Sequence, residues 1–130
     1  MKRIVLLLLL ATGCAKAQET VLTTASSSDA WTVTAATRHG ALNVGVNDIV
    51  IKVQNPMHGL VTPGDVDVKL VMTPANPQPS STPPPVEMQP DGQPGHWLAI
   101  VELPQSDTWH CELSIDQKAV PHKVRFDLKN

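Results

Sequence analysis

An alternation of apolar and polar side chains with a period of two recurs along this chain and restricts its fold more than any other feature. Residues 65–73 set Val66, Val68, Leu70 and Met72 against Asp65, Asp67 and Lys69. Residues 47–54 place Ile49, Ile51 and Val53 on one side, and residues 96–103 do the same with Trp97, Ala99, Val101 and Leu103. Trp109, Cys111, Leu113 and Ile115 form the next stripe, opposite His110, Glu112 and Ser114. The last run, 120–129, sets Val120, His122, Val124, Phe126 and Leu128 against Lys123, Arg125, Asp127 and Lys129. Side chains that alternate in this way describe strands with one face buried and one solvated. No stretch from residue 14 onward carries a helical period of comparable length. Gly, Pro, Asn and Asp clusters separate the runs, at 40–45, 55–59, 63–65, 104–107 and 116–118. The expected fold is all-β: an antiparallel, immunoglobulin-like β-sandwich of about 6–8 strands.

The core of such a sandwich has few aromatic residues to draw on. The chain has no Tyr, one Phe and three Trp. Trp97 and Trp109 share the phase of their apolar neighbours and are expected at the centre of the core. Trp31 stands at its border. Residues 74–95 break the alternation with eight of the chain's prolines, among them Pro83-Pro84-Pro85. Proline donates no amide hydrogen bond and is excluded from central strands. This segment is expected to be a long surface loop, partly polyproline-like, with 86–88 the one place for a short edge strand.

The N-terminus reads differently. Lys2 and Arg3 precede seven apolar residues, 4–10, and then Ala11-Thr12-Gly13 and Cys14. The apolar run falls far short of the ~20 residues that cross a bilayer as a helix. A basic start, a short apolar stretch and small residues before a cut site describe a secretory signal. With the cysteine directly after them, the residues resemble the lipobox of bacterial lipoproteins, although Ala11 stands where Leu is usual. The resemblance implies that 1–13 is a signal peptide and that Cys14 is acylated. Residues 14–30 would then be the lipidated Cys and a flexible tether of roughly 20–25 Å, and 31–130 the β-sandwich domain. The chain would sit in the cell envelope, lipid-anchored on the extracytoplasmic side. Because Ala15 rather than Asp follows Cys14, that means the outer membrane if the host is Gram-negative. The alternative is an ordinary secreted protein with a stray cysteine.

Charge and cysteine count narrow the partners. Lys2 and Arg3 belong to the signal, so eight of the ten basic residues remain against twelve acidic ones, a net charge of about −4. No basic run is left for nucleic acid. Of the two cysteines, only Cys111 remains once Cys14 is acylated, so a disulfide framework is excluded. Cys111 lies in phase with Trp109 and Leu113 and reads as a small buried hydrophobe.

Four pieces together resemble the YtkA-like/FixH group of extracytoplasmic β-sandwich domains. They are the glycine-asparagine strand entry at 45–53, the strand 66–72, the run 94–104 around His96-Trp97, and Asp107-Thr108-Trp109-His110-Cys111-Glu112-Leu113. They span about 41–115. The resemblance implies the fold, and a role in handling copper or other soft metals, or in assisting an envelope complex. In that group a Met-Pro-x-Met segment follows the second strand. Here it reads Met72-Thr73-Pro74-Ala75-Asn76, so Pro74 and Ala75 match and the flanking methionines do not.

The residues themselves offer soft and imidazole donors, which suit copper. Met57-His58 lies in a Gly/Pro turn where both side chains can project. His96 and His110 share the phase opposite the Trp stripe, and a hairpin between their strands would put both imidazoles on one face. Met57, His58, His96 and His110 are therefore the candidate metal ligands. Met72 falls in a core phase and is expected to pack. His122 is expected as a hydrogen-bonded inner or edge residue. No nucleophile elbow, zinc-protease helix or phosphate loop is present, and the chain reads as a binding module and not as an enzyme. The alternative is a metal-free interaction module that docks an envelope protein through its proline-rich loop.

Overall fold

A computed structural model describes residues 19–57, 59–61, 63–78 and 83–130. Cys14, the residues 1–13 expected to be a signal peptide, and His58 lie outside the described residues. Among these residues the fold is all-β, with one 3₁₀ turn at Pro63–Asp65 and no helix long and apolar enough to cross a membrane. The strands are β1 Thr20–Ser26, β2 Thr32–Thr37, β3 Gly45–Asn55, β4 Gly59–Leu60, β5 Asp67–Pro74, β6 Val86–Pro90, β7 His96–Leu103, β8 Thr108–Gln117 and β9 Val120–Lys129. All pairings are antiparallel. One sheet runs β1-β2-β3-β7-β6, with the two-residue β4 on the end of β3, and the other runs β5-β8-β9. The two sheets form a β-sandwich.

The alternation explains the packing. Ile49, Ile51 and Val53 of β3 and Trp97, Ala99, Val101 and Leu103 of β7 turn inward from the larger sheet. Leu70 and Met72 of β5, Trp109 to Ile115 of β8 in alternation, and Val124, Phe126 and Leu128 of β9 meet them from the smaller one. Trp97 and Trp109 are both in the core, as is Trp31. Each fully buried Leu, Ile or Val contributes roughly 1.5–3 kcal/mol relative to exposure, which is what holds a sandwich without a disulfide. Val120 departs from its phase and is exposed at the tip of the β8–β9 hairpin.

Two expectations about segments are corrected. The flexible tether expected over 14–30 contains β1, which pairs with β2 from Thr20↔Thr37 to Ser26↔Thr32 and packs Leu22 and Ala25 against the core. Its Thr- and Ser-rich composition hid it, since an edge strand needs only a few inward apolar residues. The proline-rich loop expected over 74–95 is shorter than that: its expected edge strand at 86–88 forms and runs on to Pro90. Pro74 ends β5, and β6 pairs with β7 from Val86↔Val101 to Pro90↔Trp97. β6 is an edge strand, a setting where Pro90 costs no ladder bond. Val86 and Met88 pack on the core and Pro84 is buried.

Consecutive strands β7 and β8 belong to different sheets. The chain crosses between them at 104–107, where a polar latch holds the crossing. Asp107 accepts from the Asn76 and Thr108 amides at 3.0 and 2.8 Å and from the Asn76 and Gln105 side chains. Burial raises its carboxyl, but these four donors outweigh it and hold Asp107 below the usual range.

Candidate functional site

Three turns meet at one end of the sandwich. They are the β1–β2 turn at 27–30, the turn at Pro56 and Met57 that follows β3, and the two-residue β8–β9 turn of Lys118 and Ala119. The register brings them there: Thr32 pairs with Gln54, and Gln117 with Val120. Ala30, Lys118 and Ala119 have φ of 69°, 51° and 66° and are the only non-glycine residues with positive φ among those described. Consecutive left-handed residues are what a tight hairpin turn of this hand demands, and Gly or Asn normally supplies them. Each non-glycine residue there costs about 1–2 kcal/mol. Strain of this kind gathers where a surface must hold one shape.

His122, two residues into β9, is the centre of this end. Its ring stacks on Trp31 with centroids 4.8 Å apart and planes 29° apart. Its Nδ1 bonds Asp29 Oδ2 from the β1–β2 turn. Asp29 Oδ1 accepts a hydrogen bond from the Ser27 hydroxyl, whose oxygen in turn accepts the Trp31 amide at 3.1 Å. The Ser27 hydroxyl, and then His122, hold the Asp29 carboxyl below its usual value. Asp29 is thus ionised and accepts only, so His122 Nδ1 carries the proton. In the neutral ring the lone pair sits on Nε2, which makes no hydrogen bond to a described residue. Only 16% of the His122 side chain is exposed.

Met57 stands on the opposite side of the same surface. The turn is set by Asn55, whose Oδ1 accepts the Met57 amide at 2.8 Å, a side-chain bond that Asn uses to mimic a backbone turn. Met57 is 80% exposed. Met57 and His122 line one depression of about 420 Å³ with Asn55, Gln117, Lys118 and Val120.

The remaining expected ligands lie elsewhere. His96 opens β7 on the outer face of the larger sheet, with Lys52 as its neighbour in β3. His110 is on the outer face of the smaller sheet, where Nδ1 pairs with Asp127 Oδ1 at 2.8 Å. The hairpin that would have joined these imidazoles does not form, because β7 pairs with β3 and β6 while β8 pairs with β5 and β9. Met57, His96 and His110 therefore do not share a site. No cluster of three or more His, Cys, Asp or Glu suited to a metal occurs among the described residues.

Cys111 is buried, and its Sγ–H contacts the Trp109 carbonyl at 3.5 Å. Burial, and then the Asp127 charge, push its thiol up to about 12, so at neutral pH it is an inert hydrophobe. The residues that sequence reasoning missed are Asp29 and the role of His122 beside Trp31. Asp29 and His122 are 93 positions apart. The only hint was a histidine in an otherwise apolar phase.

Comparison of the chain with models of known families, with curated proteins and with solved structures finds no match.

Proposed function

We propose that this chain is a lipid-anchored extracytoplasmic module that binds a metal ion of the copper type at the turn end of its β-sandwich, in service of metal handling or an envelope complex. One observation carries the reading. The exposed Met57 and the carboxylate-held His122 face one depression, between turns whose left-handed residues fix their shape. Metal-binding histidines almost always donate their second ring N–H to a carboxylate or carbonyl, and Asp29 occupies that position. The anchor rests on Lys2, Arg3, the apolar run and Cys14.

Catalysis is the weaker reading. The hydroxyl of Ser27 donates to Asp29, whereas a nucleophilic triad needs the hydroxyl on the histidine. Docking through the proline-rich segment is also weaker, because Val86 and Met88 are spent on the protein's own core. Two measurements test the proposal. Mass spectrometry of the purified N-terminus should find an acylated Cys14, and an unmodified chain beginning at Ala17 or Gln18 refutes the anchor. Competition titration with Cu(I), Cu(II) and Zn(II) should find one ion bound at micromolar Kd or tighter. Failure to bind any of the three refutes the metal role.

A further inference from the structure

We infer that the depression between the β3–β4 turn and the β8–β9 hairpin is a Cu(I) site whose ligands are His122 Nε2 and Met57 Sδ. The inference rests on the metal-binding reading above and goes past it, naming the ion and its ligands. Only Met57 belongs to the ligand set expected from sequence. His58 lies outside the described residues.

The donors choose the ion. A thioether and an imidazole are both neutral, and the thioether is soft, so the pair suits Cu(I). Hard divalent ions prefer carboxylates and water, and the depression's other walls are Asn55, Gln117, Lys118 and Val120. No carboxylate among the described residues lines it, and the nearby carboxylate of Asp29 is committed to the far side of the imidazole and to Ser27. Lys118 strengthens the choice. An ammonium repels a divalent ion twice as strongly as a monovalent one at the same distance, so it biases the site against Zn(II) and Cu(II).

The geometry prepares one ligand and leaves the other free to adjust. His122 is fixed on three counts: the Asp29 bond sets its tautomer, Trp31 covers a ring face, and β9 carries its backbone. Trp31 is itself buried, so the platform does not move. Met57 is unbranched, with three torsions beyond its backbone, and projects from a turn that the Asn55 side chain holds. A soft ion can therefore seat on the imidazole and draw the thioether to it.

The test is a competition titration of the acylated protein in detergent with Cu(I), kept reduced by ascorbate, against a chromophoric Cu(I) chelator. Met57→Leu removes the sulfur at an exposed position, where folding is not at stake. His122→Phe removes the nitrogen and keeps an aromatic ring on Trp31. Each should weaken Cu(I) binding at least about tenfold, and Asp29→Asn about 10–100-fold, the range for loss of a partner behind a ligand. His96→Gln and His110→Gln should leave it unchanged. Cu(I) should also quench tryptophan emission, and Trp31→Phe should remove most of that quenching. Wild-type affinity in both Met57→Leu and His122→Phe overturns the site while sparing the metal-binding reading. So does binding of Zn(II) or Cu(II) with no Cu(I) binding. Wild type that binds no ion overturns both.

Discussion

Asn130 should be worth more to this fold than any other exposed-looking polar residue, because its side chain closes the latch over Trp109. The Trp109 indole N–H donates to Asn130 Oδ1 at 2.8 Å, the Asp107 amide donates to the same oxygen at 3.0 Å, and Asn130 Nδ2 donates to the Gln105 carbonyl at 3.1 Å. Trp109 is 1% exposed, so Asn130→Ala leaves its N–H without a partner in a place that water reaches poorly. An orphaned buried donor costs about 1–3 kcal/mol. The two part-buried bonds add about 0.5 kcal/mol each at the low end of the usual range, for a total of about 2–4 kcal/mol. Urea denaturation should show this as a lower midpoint at unchanged slope, and melting should fall by roughly 8–16 °C for a domain of this size. Trp109→Phe removes the donor itself. In that background Asn130→Ala should cost about 1–2 kcal/mol less, a coupling that a double-mutant cycle resolves. Strict additivity, or a single-mutant loss within about 0.5 kcal/mol, would refute the latch.

Other consequences follow from the same structure. Cys111, with its thiol near 12 against an ordinary 9.0, should carry about a thousandfold less thiolate than a free cysteine. Alkylation at pH 7.5 should be at least that much slower in native than in urea-unfolded protein, and equal rates would contradict its burial. Asp29, Asp107 and Glu112 all have carboxyls held below their ordinary values, Glu112 chiefly by Arg125. Their stabilisation is in place above those ordinary values of 3.8 and 4.5, and is lost as pH falls through the lowered folded values. The melting temperature should therefore drop on acidification below about pH 4, and drop less steeply in Asp107→Asn; a flat profile in wild type would contradict this. Replacing 86–90 by a Gly-Ser linker should cost about 2–4 kcal/mol, since it withdraws Val86 and Met88 from the core and strips an edge strand. A change below about 1 kcal/mol, what a loop length effect alone produces, would show that β6 is dispensable.

The strands were legible where one face is buried and the other solvated. Residues 65–73, 96–103, 109–115 and 122–129 follow that rule, and β5, β7, β8 and β9 fall on them. β1 was not legible, because Thr23, Thr24 and Ser26 look like tether and only Leu22 and Ala25 turn inward. Alternation says which face a side chain takes within a strand and nothing about which sheet the strand joins. That is why His96 and His110, neighbours by phase, lie on opposite outer faces. The turn end was partly legible: Met57 projects as its Gly/Pro context suggested, and His122 is hydrogen-bonded. What joins them is tertiary. Asp29 reaches His122 across the side of the sandwich where β1 and β9 approach, and no local pattern in either segment encodes the other.

The account's central claim is that the turn end of the sandwich is the binding surface. Amide NMR of the ¹⁵N-labelled chain, recorded with and without one equivalent of Cu(I) under reducing conditions, tests it most directly. The account predicts shifts concentrated at Asp29 to Trp31, Asn55 to Met57 and Gln117 to His122, with the Trp31 indole N–H among the most displaced. Shifts centred instead on His110 and Asp127 or on His96, or a spectrum unchanged by the ion, would contradict it.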